Sequence, residues 1–168
     1  GLDIILPNVA KKIEHKYRFL IIGAGGSNKK LNQIIKKKGI SNVDIISPVS
    51  RDKLIEHYLE ADLLFLHLNS VKAFKRVLPS KIFEYAVIGR PILAGLSGYS
   101  KSFLNDNVPH AAVFNPGDSD GFFSALEYAE NLKISQKSII GFTKKYSRQK
   151  IMDEMSHSIL SKLWKIFS

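Results

Sequence analysis

YRFLIIGAGGSNKKLNQIIKKKG, residues 17–39, decides how this chain folds. Tyr17–Ile22 is a short apolar run that ends at Gly23, the pattern of a buried strand. Ala24-Gly25-Gly26-Ser27 then turns the chain. From Ser27 to Lys38, Leu31, Ile34 and Ile35 recur at helical spacing, and Gly39 is a natural helix stop. A strand, a glycine turn and a helix in direct succession form the unit from which parallel sheets are wound.

The same alternation continues downstream. Val43–Ile46 reads as a strand closed by Pro48, and Asp52–Ala61 as a helix with Leu54, Ile55, Tyr58 and Leu59 on one face. Leu63–Leu68 is nearly all apolar, as a strand covered on both faces must be. Asn69–Leu78 is polar and basic and reads as a loop. Pro79–Ile88 is a helix opened by Pro79-Ser80 and ended by Gly89. Pro91–Ala94 is a strand, Ser100–Leu104 a short helix, and Ala111–Phe114 a last strand stopped by Asn115-Pro116-Gly117. Asp120–Leu132 is a helix, and after a break near Ser135 the remainder to Phe167 forms one or two more. The expected fold is α/β: a Rossmann-like open parallel sheet, helices on both faces, helices at the C-terminus, all in a single domain over residues 1–168. Such sheets bind ligands beyond the carboxyl ends of their strands.

Composition narrows the function. The 168 residues are 45% apolar and 24% charged, ordinary for a globular domain. No apolar run is long enough to span a bilayer, and Gly1–Pro7 lack the basic head and cleavage site of a signal peptide. The absence of cysteine fits a reducing, cytoplasmic setting. Twenty-five Lys and Arg against 15 acids give a net charge of +10, suited either to polyanions or simply to solubility. No basic arm or aromatic RNA-binding signature is present, so nucleic acid is not an expected partner. His15, His57, His67, His110 and His157 lack metal-ligand spacing, so no metal is expected; His67, ending a strand, reads as a core residue before a site wall.

Several stretches carry chemistry. Gly23 and Gly25 let backbone approach a phosphate at a helix start. The spacing departs from a dinucleotide fingerprint, however, because position 28 is Asn, and Asp44, near the distance for a ribose acid, lies in a strand. The densest stretch is LPSKIFEYAVIGRPILAG, residues 78–95. Ile82, Phe83, Ala86 and Val87 form its apolar face, while Lys81 and Glu84, i and i+3, lie together beside the helix start. A carboxylate accepts two hydroxyl donors at once, with charged hydrogen bonds of about 1.5–3 kcal/mol each. The bland alternative is a surface ion pair contributing about 0.2–0.5 kcal/mol.

This stretch resembles the donor-site helix and following strand of family 4 retaining glycosyltransferases, most closely the bacterial subgroup that builds O-antigen and capsule repeats. The resemblance implies one half of a GT-B fold: the C-terminal, donor-binding domain, taking an NDP-sugar, UDP-sugar first among them, and needing no metal. It implies that Glu84 bonds the ribose hydroxyls, and that Lys81, Ser80 and the amides of the Gly98 turn meet the diphosphate. It implies further that the loop Ser47-Pro48-Val49-Ser50-Arg51 frames the nucleotide base, where Arg51 either flanks the base or is the solvated start of the next helix. The broader family carries a glutamate eight residues before Glu84; here that residue is Arg76, suited instead to a diphosphate leaving group. The acceptor-side domain and the first strand of the donor domain are expected to lie outside this chain, with Gly1–Ile13 as the helix after that strand. Alone, the chain is expected to be inactive. It would pair with that domain, or serve as a non-catalytic sugar-nucleotide-binding subunit of a membrane-associated partner. Ile159, Leu160, Leu163, Trp164, Ile166 and Phe167, with Lys162 and Lys165, suit a partner, the chain's own sheet, or a peripheral contact with the inner face of a membrane.

Overall fold

The computed structural model describes residues 1–167. Strands and helices alternate throughout: α1 (Leu2–Val9), β1 (Phe19–Ile22), α2 (Asn28–Lys38), β2 (Val43–Ile46), α3 (Arg51–Glu60), β3 (Leu64–His67), α4 (Ser80–Ile88), β4 (Ile92–Gly95), α5 (Tyr99–Asn107), β5 (Ala111–Phe114) and α6 (Ser119–Glu130). The chain closes with α7 (Gln136–Lys145) and α8 (Arg148–Phe167). Short 3-10 turns follow α1 (Ala10–Ile13) and interrupt the basic loop after β3 (Lys72–Arg76), which the sequence had suggested was wholly irregular.

Every strand pairing is parallel, as the alternation requires. The strands form two ladders, β1–β2 and β3–β4–β5. Among the described residues no backbone hydrogen bond joins β1 to β3. They meet through side chains: the rings of Phe19 and Phe65 pack edge to face at 6.2 Å.

The two-residue period of the strands divides the core by face. On one face Leu64, Leu66, Ile92, Ala94 and Leu96 pack with Ile82 of α4, Leu104 of α5 and Phe142 of α7. On the other, Leu93, Ala112 and Phe114 meet Ile5 and Val9 of α1 and Phe122, Leu126 and Ala129 of α6. Helix α1 and the turn after it share a third cluster with α2, Leu6 and Ala10 with Leu31 and Ile35, over Phe19, Ile21, Val43 and Ile45. Full burial of each Val, Leu, Ile or Phe side chain among these contributes about 1.5–3 kcal/mol.

Two helical faces differ from the periodicity. On α3 only Tyr58 is buried; Leu54 is half-covered, while Ile55 and Leu59 stand 38% and 49% exposed. On α4 Val87 is 41% exposed and Tyr85 is buried in its stead. The cause is lateral: α4 packs against α3 as well as the sheet, and Tyr85 meets Tyr58 edge to face at 5.1 Å. Ser50 caps α3 and Asp118 caps α6, each accepting a backbone N–H three residues on. No described helix is long and apolar enough to cross a membrane. On α8, Leu160 is exposed, while the side chains of Ile159, Lys162, Leu163, Trp164, Lys165, Ile166 and Phe167 lie outside the described residues.

Candidate functional site

Because every strand feeds a helix, the starts of α4 and α5 and the loops before them lie at the carboxyl ends of β3 and β4. Ser80 is the exposed first residue of α4, and no side chain caps that helix start. One turn in, Lys81 and Glu84 pair at 3.9 Å, each near half exposure. A third residue joins them from α3. Lys81 Nζ donates to the Tyr58 hydroxyl at 3.0 Å, and that hydroxyl lies 3.5 Å from Glu84 Oε2. The Lys81 ammonium also stands 5.7 Å from the centre of the Tyr58 ring and 5.9 Å from that of Tyr85. Burial, with Tyr58 beside it, pushes the Tyr85 phenol above its ordinary pKa. Tyr58 reads in sequence only as one apolar position on a helix. Its hydroxyl, the one polar handle on that face, was the signal available.

Arg76 ends the 3-10 turn in the loop between β3 and α4. It is exposed and has no ion-pair partner among the described residues. That turn packs on the start of α5. Gly98 caps the helix at φ +66°, and a Cβ there would overlap the carbonyl of Lys75. Glycine at 98 therefore serves a left-handed turn and a close backbone approach, which brings the Arg76 turn against the α5 start.

His67, last in β3, is 7% exposed. The Gly117 amide donates to its Nε2 at 3.0 Å, so the proton of the neutral ring sits on Nδ1. Burial lowers its pKa to about 4. His67 is a core residue by packing, its ring tilted against those of Phe65 and Phe114, and also one wall of a cavity of about 330 Å³ with Asn69, Ser70, Val71, Ile4 and Gly117. A larger groove of about 750 Å³ runs beside β5 between α5 and α6, and holds none of the residues singled out from sequence.

Gly23, Gly25 and Arg51 gather elsewhere, at the carboxyl end of the β1–β2 pair. Gly23 lies at φ +149° and donates to the Ile46 carbonyl at 3.1 Å; Asn28 Nδ2 donates to the Gly23 carbonyl at 2.6 Å. The residue that broke the dinucleotide spacing thus pins the turn itself. Asp44 is engaged by Arg18 at 2.5 Å, which holds its carboxyl below the ordinary range. Arg51 opens α3, exposed and without an ion-pair partner among the described residues. Among the described residues no hydrogen bond or ion pair links this group to Glu84 or Arg76. Among the described residues no three His, Asp or Glu side chains gather as a metal site.

A family model described as glycosyl transferases group 1 matches residues 1–146. No curated protein matches the chain. Among solved structures the chain is similar to AviGT4, a glycosyltransferase involved in avilamycin A biosynthesis, with a TM-score of 0.63 and 15% identity over 83% of this chain. The match spans 41% of that structure's chain, and at such identity it bears on fold alone.

Proposed function

The chain belongs to the glycosyl transferases group 1 family and has the architecture of a GT-B glycosyltransferase, and from that premise we propose that it is a donor-binding domain for a nucleoside-diphosphate sugar. The donor is a UDP-sugar, transferred with retained configuration in the manner of the family 4 enzymes that build bacterial surface polysaccharide. Glu84 accepts hydrogen bonds from the ribose hydroxyls. Arg76, Ser80 and the Gly98 turn take the diphosphate, a cation and two helix starts on the connections that follow β3 and β4. Gly23 and Gly25 keep the end of β1 free of side chains where the base lies, beside Arg51 on the next loop.

The observation that carries this reading is the Glu84 carboxylate. It is held on α4 by neighbouring donors, yet remains near half exposed and free to accept from a ligand. The break between β1 and β3 suits one further parallel strand, and an acceptor-side domain completes the enzyme at a cytoplasmic membrane face. Chemistry in this half needs no metal: charge on the departing diphosphate is met by Arg76 and backbone amides.

Calorimetry tests the reading. UDP should bind more tightly than inorganic pyrophosphate, and Glu84→Ala should remove about tenfold or more of that preference, the worth of a charged hydrogen bond. Equal UDP affinity in parent and variant would sink the ribose assignment.

A further inference from the structure

An exposed glutamate on a helix samples several rotamers, and freezing them on binding opposes affinity. Glu84 is not left to do so. Tyr58 is 8% exposed and locked edge to face on Tyr85. Its hydroxyl is the fixed point between Lys81 and Glu84. An ammonium can only donate, so at 3.0 Å Lys81 donates a hydrogen bond to the Tyr58 oxygen, and the hydroxyl's own hydrogen is left to face Glu84 Oε2 at 3.5 Å. Lys81 is held in turn by two aromatic rings. Its ammonium is directed towards α3, whereas Arg76, like Lys72 and Lys75 on the loop before α4, has no ion pair among the described residues.

We infer that Tyr58 and Lys81 are positioning residues that orient the Glu84 carboxylate, so that Lys81 acts on the ribose side of the donor rather than on its diphosphate. The inference rests on the reading of Glu84 given above, and it moves Lys81 from the role its place beside the helix start suggests. The division of labour is physical. Arg76 supplies charge that is uncommitted in the protein; Lys81 supplies charge already spent on neighbouring side chains.

Calorimetry on the purified chain, with UDP and inorganic pyrophosphate as probes, separates these roles. Tyr58→Phe keeps the ring and its packing and removes only the hydroxyl; Lys81→Met keeps the stem and removes the charge. Each should weaken UDP about two- to tenfold, the cost of ordering one side chain, leave pyrophosphate unchanged, and have no further effect in a Glu84→Ala background. Lys81→Arg should recover part of the loss. Thermal melting of Tyr58→Phe should match the parent, which separates orientation from folding. Three results overturn the inference alone: pyrophosphate weakened as much as UDP by Lys81→Met, UDP affinity unchanged by Tyr58→Phe, or losses that persist without Glu84. If the parent binds UDP no tighter than pyrophosphate and Glu84→Ala changes nothing, the ribose reading falls and takes this inference with it.

Discussion

His67 shows how one buried side chain ties stability to pH. In the unfolded chain an imidazole titrates near 6.5; in the fold, burial holds it at about 4. The folded state therefore binds protons less readily than the unfolded state. Stability is complete above about pH 6.5 and is lost as pH falls towards about 4. His110, 2% exposed and also lowered by burial, acts in the same direction. Urea midpoints measured from about pH 7 to about pH 5 should fall, and His67→Phe should flatten that slope by on the order of 2 kcal/mol. An unchanged slope would place His67 in water. The same residue illustrates what sequence can tell at this scale. Its place at the end of an apolar run identified it as core, but only the Gly117 amide, from fifty residues on, fixes its tautomer.

At the scale of elements, glycines separate into those the structure needs and those it merely contains. Gly98 combines a left-handed φ with contact against the Lys75 carbonyl, so Gly98→Ala should cost about 2 kcal/mol or more and displace the Arg76 turn. A Cβ on Gly26 meets nothing, so Gly26→Ala should lie within about 0.5 kcal/mol of the parent. Chemical denaturation of the two variants checks both. From sequence alone Gly26 and Gly98 look alike, each preceding a helix. The helix α4 was legible as an element, with Ile82 and Ala86 facing the core and Lys81 beside Glu84. What was not legible was its flank. Helical spacing ranks residues by angle around one axis, and cannot say that α3 lies alongside to bury Tyr85 and leave Val87 in solvent.

For the whole molecule, the break in the sheet has a measurable signature. Phe19 and Gly23 donate to carbonyls of the β2 side, so by ladder alternation the amides of Leu20 and Ile22 aim at the opposite edge. Leu64 and Leu68 likewise donate towards β4, which leaves Phe65 and His67 amides aimed towards β1. Those four amides should exchange hydrogen far faster than Leu93 and Ala94 of β4, which is bonded on both sides. Equal protection would mean that β1 and β3 pair in solution. The alternation of apolar runs, glycine stops and amphipathic stretches determined the α/β class and the strands and helices from β1 to α6 in order, because each element depends on neighbours within a few residues; strand following helix throughout then implied parallel pairing. Which strands pair, and that a tyrosine from α3 stands between Lys81 and Glu84, were decided only by tertiary structure. Those outcomes depend on groups far apart in the chain, brought together by burial that local sequence does not encode.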